Sequence, residues 1–196
     1  MEHTMSDVLR VTTEGYLFDL DRDNPPSPAV IESDLLKDTR AVINAQNGML
    51  EDGERKWKPP IALGFQQIAE IVAYLYPVCR IATAGTNADS SYDLLAIYQS
   101  EGPDEGIFVT DDEVFRNLAR SYNYQLTTRE FNEFLTALRD MIPRKECCHE
   151  PNLIAVNNGI FDFDTKQLLP FTPDLVFMAK SRINYNPSAT NITIHN

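Results

Sequence analysis

LIAVNNGIFDFDTKQLLPFTPDLVFMAKSRINYNP, residues 153–187, decides how the rest of the chain is read. An apolar run, Leu153 to Val156, meets Asn157-Asn158-Gly159, which can supply the positive φ of a tight reversal. Ile160, Phe161, Asp162, Phe163 and Asp164 then alternate with the period of two that marks a half-buried strand. Asp164-Thr165-Lys166-Gln167 reads as a hairpin turn, Leu168-Leu169 as the returning strand, and Pro170 as its stop. Phe177-Met178-Ala179-Lys180 begins a further extended segment that ends at Asn184-Tyr185-Asn186-Pro187. By pattern alone this is a β-rich unit of short hairpins, an arrangement common to many unrelated proteins.

The wording of the stretch carries more than its pattern. Asn158-Gly159-Ile160-Phe161-Asp162, the Leu169-Pro170 exit, Thr172-Pro173-Asp174 and the closing Asn184-Tyr185-Asn186-Pro187 resemble one family. It is the helicase-associated N-terminal domain of phage and plasmid primase-helicases, related to the poxvirus primase-helicase. There the same order of motifs stands just before a superfamily 3 helicase motor. The sequence departs from that pattern at Lys166, where glycine usually follows the threonine. It departs also at Phe171, where histidine is common, and at Asn186, where the family has aspartate. The resemblance makes Asn158, Gly159, Asp162, Pro173, Tyr185 and Pro187 signature positions of structural character, and it extends more faintly back to about Pro60.

Outward from that stretch, composition sets the class. With 43% hydrophobic and 10% aromatic residues in 196, the chain can bury a real core as one domain with appendages or two small ones. No apolar run reaches membrane-spanning length, and MEHTMSDV lacks the basic start and apolar core of a signal peptide. Cys79, Cys147 and Cys148 are odd in number and two are adjacent, so free thiols in a reducing cytoplasm are expected. Residues 1–150 hold 26 acidic and 14 basic side chains and carry the whole net charge of −12, whereas residues 151–196 hold three of each. Such a surface repels phosphate backbones, so tight duplex binding by the chain alone is not expected.

From the N-terminus, VLRV, Thr12-Thr13-Glu14-Gly15 and YLFDL read as a small hairpin over Val8–Asp19. Asp19 and Asp21 would then stand at a strand end, where paired carboxylates can hold a divalent metal for nucleotidyl transfer. A solvated turn explains the same residues more plainly. Ser27-Pro28 starts a helix with Val30, Ile31, Leu35, Val42 and Ile43 on its apolar side and Asn47-Gly48 at its end. Glu51 to Pro60 is charged and proline-terminated, a linker. Its Arg55-Lys56-Trp57-Lys58 is the only basic-aromatic cluster before the C-terminal half, and Trp57 suits either base stacking or docking on a neighbouring surface. These features divide the chain into an N-terminal part, residues 1–58, and a family-like part, residues 59–196.

Beyond Pro60, Ile61, Phe65, Ile68, Val72 and Leu75 form a helical stripe that stops at Tyr76-Pro77. Thr83 to Ser91 is a loop, with Gly85-Thr86-Asn87 a loop signal and nothing more. Tyr92–Tyr98 and Ile107–Val109 are antiparallel partners. Thr110-Asp111-Asp112-Glu113 reads as a capping box, its helix turning Val114 and Leu118 inward. Thr127-Thr128-Arg129-Glu130 repeats the device before Phe131, Phe134, Leu135 and Leu138. Helices capped in this way, interleaved with short hairpins, make an α+β fold with a β-rich C-terminal part.

The chemistry the motifs leave out is equally informative. No GxxxxGK(S/T) is present to cradle a nucleotide phosphate, no GxSxG elbow supports a triad, and Cys147-Cys148-His149 has no second ligand pair. The expected function is a non-catalytic module of a DNA-replication primase-helicase that assists subunit assembly and presents DNA to the motor. That resemblance implies no cofactor in this chain, with ATP and Mg²⁺ confined to the motor. It also implies a motor partner in the same chain or in trans after Asn196, a ring of subunits and weak DNA contact. Lys180 and Arg182, two apart on an extended strand, and Arg144 with Lys145 are the candidate phosphate contacts. Two alternatives stay open: a metal-dependent primase built on Asp19 and Asp21, and a free-standing acidic regulator of replication.

Overall fold

Thr4 opens the first element. Its hydroxyl accepts from the Asp7 amide at 3.2 Å, and the Asp7 carboxylate takes the Thr4 amide at 3.0 Å, a reciprocal cap that starts α1, Met5–Phe18. The computed structural model describes residues 4–51, 53–83 and 89–189. The segment expected as a hairpin is therefore a helix, and the reason is tertiary. Thr12 and Thr13, which suggested a turn, return their hydroxyls to the Val8 and Leu9 carbonyls at 2.8 Å and so satisfy themselves within the helix. Val8, Thr13 and Leu17 form its buried face. A glycine in mid-helix costs about 1 kcal/mol, while burying one large apolar side chain returns about 1.5–3 kcal/mol. Gly15 is thus outweighed.

α1 belongs to a helical unit made of Met1–Arg80 and Thr110–Pro143. α2, Pro28–Gly48, begins with Pro28 at its first position as expected, but Ser27 makes no side-chain cap bond. Ile31, Leu35, Thr39 and Ile43 are its buried face, whereas Val30 is exposed. α3, Phe65–Leu75, starts later than its stripe suggested: Gly64 precedes the first turn, and Ile61 lies outside, exposed. Gln67, Ile68, Ala69, Ile71 and Val72 are buried along it, and it packs on α1, on α4 (Asp112–Tyr122) and on α5 (Thr128–Met141). One polar pin runs through this apolar interior. The Gln67 amide donates to the Thr13 and Thr39 hydroxyls, each at 3.1 Å, so α1, α2 and α3 share one satisfied buried network.

The two remaining helices differ in how well their starts were legible. α5 has the expected box: the Thr127 hydroxyl accepts from the Glu130 amide at 3.3 Å, and the Glu130 carboxylate accepts from the Thr127 amide at 2.9 Å. α4 does not. Its cap is Asp111, whose carboxylate accepts from the Glu113 amide at 2.8 Å, and Thr110 stands outside the helix. A carboxylate both bonds the first free amides and opposes the positive end of the helix dipole, so Asp111 outcompetes the neighbouring hydroxyl. The helix buries Phe115, Ala119 and Tyr122, whereas Val114 and Leu118, expected inward, are half-buried. Phe131, Phe134 and Leu138 of α5 are buried as expected, with the Arg116 guanidinium 4.0 Å above the Phe131 ring.

The second unit, Ile81–Val109 and Arg144–Asn196, is built from short strands. β1 (Val78–Ile81) enters it at its last residue. β2 (Leu94–Tyr98) and β3 (Phe108–Val109) pair antiparallel, Ile97 opposite Val109 and Tyr98 opposite Phe108. With β4 (Arg144–Lys145) they form a sheet of order β3-β2-β1-β4. A separate antiparallel sheet of order β5-β6-β7 comprises Leu153–Val156, Gly159–Asp162 and Gln167–Leu169. Five α-helices and two small sheets among the described residues make the fold α+β. No helix among these residues is long and apolar enough to cross a membrane. Gly85, Thr86 and Asn87 lie outside the described residues.

Candidate functional site

The three-stranded sheet is built from the first half of the stretch 153–187. Ile154 faces Phe161 and Phe161 faces Leu168 across the register, while Ile160 and Asp162 occupy the buried side of β6. The period of two is therefore present, with an acidic residue on its inward face. Asp162 is tolerated there because its carboxylate is fully engaged: the Asp164 amide donates at 2.9 Å, the Thr165 hydroxyl at 2.9 Å and the Asn152 amide at 3.3 Å. Those donors, the Asp164 amide foremost, hold its pKa below the usual aspartate value.

Both turns of this sheet demand special backbone. Gly159 has φ 152°, and a Cβ there would stand 2.6 Å from the Leu169 carbonyl oxygen. Lys166 has φ 57°, the one non-glycine residue with positive φ among those described, at the position where the resembled family usually has glycine. Tyr185 ties the two turns together. Its backbone amide donates to the Asn158 side chain at 2.9 Å, its carbonyl accepts from the same side chain at 3.0 Å, and its hydroxyl donates to the Lys166 carbonyl at 3.2 Å. Its ring lies 4.4 Å from that of Phe161, which in turn meets Phe163 edge-on at 4.9 Å. Asn157 adds a bond from its side chain to Asn184 at 2.7 Å and one from its amide to the Ile183 carbonyl at 3.1 Å. Pro187 sits in the turn that follows, where the Asn186 side chain accepts from the Ser188 amide at 2.9 Å.

The segment from Phe171 to Ala189 forms no strand, contrary to expectation, so Lys180 and Arg182 do not share the face of a regular strand. Single backbone bonds fasten it instead. The Val176 carbonyl accepts from Cys148 at 2.8 Å and the Phe177 carbonyl from Phe108 at 2.7 Å, while the Ser181 amide donates to Ala155 at 2.9 Å. Side-chain clamps have replaced a ladder. Lys180 donates to the Glu105 carbonyl at 2.7 Å and lies 5.4 Å over the Phe171 ring. That ring occupies the space a Cβ on Gly106 would need, and Gly106 has φ 88°. Arg182 is exposed and makes no hydrogen bond among the described residues.

The other two candidate cations are engaged as well. Arg144 grips Asp93 in a fork at 2.7 and 2.8 Å, and Asp93 is only 4% exposed. Lys145 donates to the Pro173 carbonyl at 3.2 Å, which gives that signature proline a structural contact. The sequence pattern does not announce Asp93, Glu105 and Asn152, because each partner is distant along the chain or irregularly spaced. Of the four candidate cations, Arg182 is the one whose head group makes no hydrogen bond among the described residues.

Asp19 and Asp21 do not form a strand-end pair, because the residues before them are the last turn of α1. Asp19 caps that helix at its C-terminal end, and the Asp21 carboxylate accepts from the Asp23 and Asn24 amides at 3.0 and 3.3 Å. The primase reading thus loses the geometry on which it rested. Among the described residues no group of three or more His, Cys, Asp or Glu side chains is placed to hold a metal ion. Burial pushes the Cys147 thiol above its ordinary value, away from a reactive thiolate.

No curated protein matches the sequence. The profile of the D5 N terminal like family matches residues 86–196, more than half of the chain, and takes in the three-stranded sheet, the Tyr185 clamp and both capped helices α4 and α5. The chain belongs to the D5 N terminal like family, the helicase-associated N-terminal domain of primase-helicases.

Proposed function

We propose that the chain serves as a non-catalytic module of a DNA-replication primase-helicase, adjoining the ATPase motor, where it supports subunit assembly and guides DNA toward the motor. The family match over residues 86–196 carries this reading. The Tyr185 clamp favours it too, since it fastens the end of the stretch against the sheet and would give a following domain a firm attachment. On this reading residues 59–196 are the working module, residues 1–58 add α1 and α2 to its helices, and the protein acts in the cytoplasm of a phage- or plasmid-bearing cell. ATP and Mg²⁺ belong to the motor, the chain's partner in cis or in trans.

DNA contact is assigned to phosphates rather than base edges, because a guide must pass any sequence. Arg182 leads, Lys180 follows through its exposed side, and Arg144 with Lys145 contribute less because their heads are already bonded. Fluorescence anisotropy with a labelled single strand tests this. Weak binding that falls steeply with salt is expected, and Arg182→Ala should reduce it equally for all sequences. Binding unchanged by Arg182→Ala and Lys180→Ala together would remove the DNA role from this surface. The chain should also show no ATP turnover above background.

A further inference from the structure

A groove of about 830 Å³ runs between α1 and α2, wholly within the helical unit and outside the residues matched by the family. Its apolar lining includes Val8, Val11, Tyr16 and Val42, and Val11 is 58% exposed. Its rim is acidic. Asp7, Asp19, Asp21 and Asp38 line it, and among the described residues no Lys, Arg or His does. Tyr16 registers that field: burial, then Asp34 and Asp38, raise its hydroxyl pKa above the ordinary value. An occupant must therefore offer cations to these carboxylates and an apolar body to the valines.

The same chain carries a segment of that chemistry. Arg55, Lys56 and Lys58 are exposed and make no hydrogen bond or ion pair among the described residues, and Trp57 stands between them, half-buried. The segment is not slack. The Asn47 side chain bonds both the amide and the carbonyl of Trp57 at 2.8 Å, and Arg40 holds the Pro60 carbonyl at 2.8 Å. A segment held in this way has lost much of its freedom before any contact forms, which lowers the cost of docking. None of its residues lines the groove of its own chain.

We propose that the α1–α2 groove receives the Arg55–Lys58 segment of a second copy of this chain, a proposal that rests on the self-assembly included in the function above. Donor and acceptor are different surfaces, so the contact either closes as a reciprocal pair or runs head to tail into a ring. Charge complementarity of this kind, four carboxylates against three cations, sets register and partner choice and weakens with salt.

Two measurements on the full chain decide it. A fluorescent peptide of sequence RKWKPP, residues 55–60, should bind the parent at low salt and bind Asp19→Asn/Asp38→Asn at least about tenfold more weakly. In light scattering the parent should self-associate. Arg55→Glu/Lys56→Glu and Asp19→Lys/Asp38→Lys should each be monomeric, and mixing the two should restore a pair that grows no further. Equal peptide binding by parent and Asn variant overturns the groove as the receiving site. Charge variants that assemble as the parent does show that assembly uses another face, which ends this proposal and leaves the functional reading standing. A parent that binds the peptide yet stays monomeric at every concentration overturns a second copy as the occupant.

Discussion

Lys166 shows how far one backbone angle can be traced. A non-glycine residue in the left-handed region costs about 1–2 kcal/mol, and Lys166 offsets part of this through its ammonium, 5.6 Å over the Phe163 ring. Lys166→Gly should therefore be neutral or stabilising by up to about 1 kcal/mol, whereas Lys166→Val should lose about 1–3 kcal/mol in denaturant unfolding. If the two variants were equally stable, the turn would not have the conformation described. Gly159 is stricter, because both its φ and the nearby Leu169 carbonyl exclude a side chain. Gly159→Ala should cost about 2 kcal/mol or more and should loosen residues 183–187, read as faster amide exchange there.

At the scale of elements, single side chains set the helix starts. Asp111→Ala and Thr127→Ala should each cost about 0.5–2 kcal/mol, and Thr110→Ala only a few tenths, because Thr110 caps nothing. Thermal unfolding of the three variants checks this, and a large loss at Thr110 would move the start of α4 back to the cap its Thr-Asp-Asp-Glu sequence suggested. The sheet elements behave differently. Their strands are only two to five residues long, so cross-strand bonding alone cannot hold them, and Asp162, Asn158 and Arg144 supply what length does not. Removing Arg144 would strip both bonds of the fork from the buried Asp93 carboxylate, which is more costly than the loss of a surface ion pair.

Over the whole molecule, two carboxyls give stability opposite slopes with pH. Asp162 is held below its ordinary value of 3.8 by its donors, so its contribution is complete above that value and lost as pH falls through the lower folded one. Glu70 is raised above its ordinary 4.5, first by burial and then by Glu14, against the opposing bonds from Gln66 and Thr13. Its protonated form favours folding, so its contribution is present in acid and lost as pH rises through the raised value. Glu70→Gln should accordingly raise Tm at pH 7 and leave it nearly unchanged near pH 4, while Asp162→Asn should lower Tm at pH 7 and approach the parent in strong acid. Parallel Tm profiles for both variants would contradict these environments.

The sequence by itself determined the elements whose signals are local. The Thr127 box, the α3 stripe from Phe65, the Leu153–Leu169 hairpins and the family wording around Asn158-Gly159 could all be read within a few residues. Tertiary structure decided the rest. Residues 5–18 became a helix because Val8, Thr13 and Leu17 find a core to enter, and burial outweighs the turn signals of two threonines and a glycine. The segment after Phe171 lost its strand because Glu105, Asn157 and Ala155, far away in sequence, offered it single bonds in place of a ladder. Spacing announces a local hydrogen bond, but a partner more than twenty residues away is chosen only when the chain has folded around it.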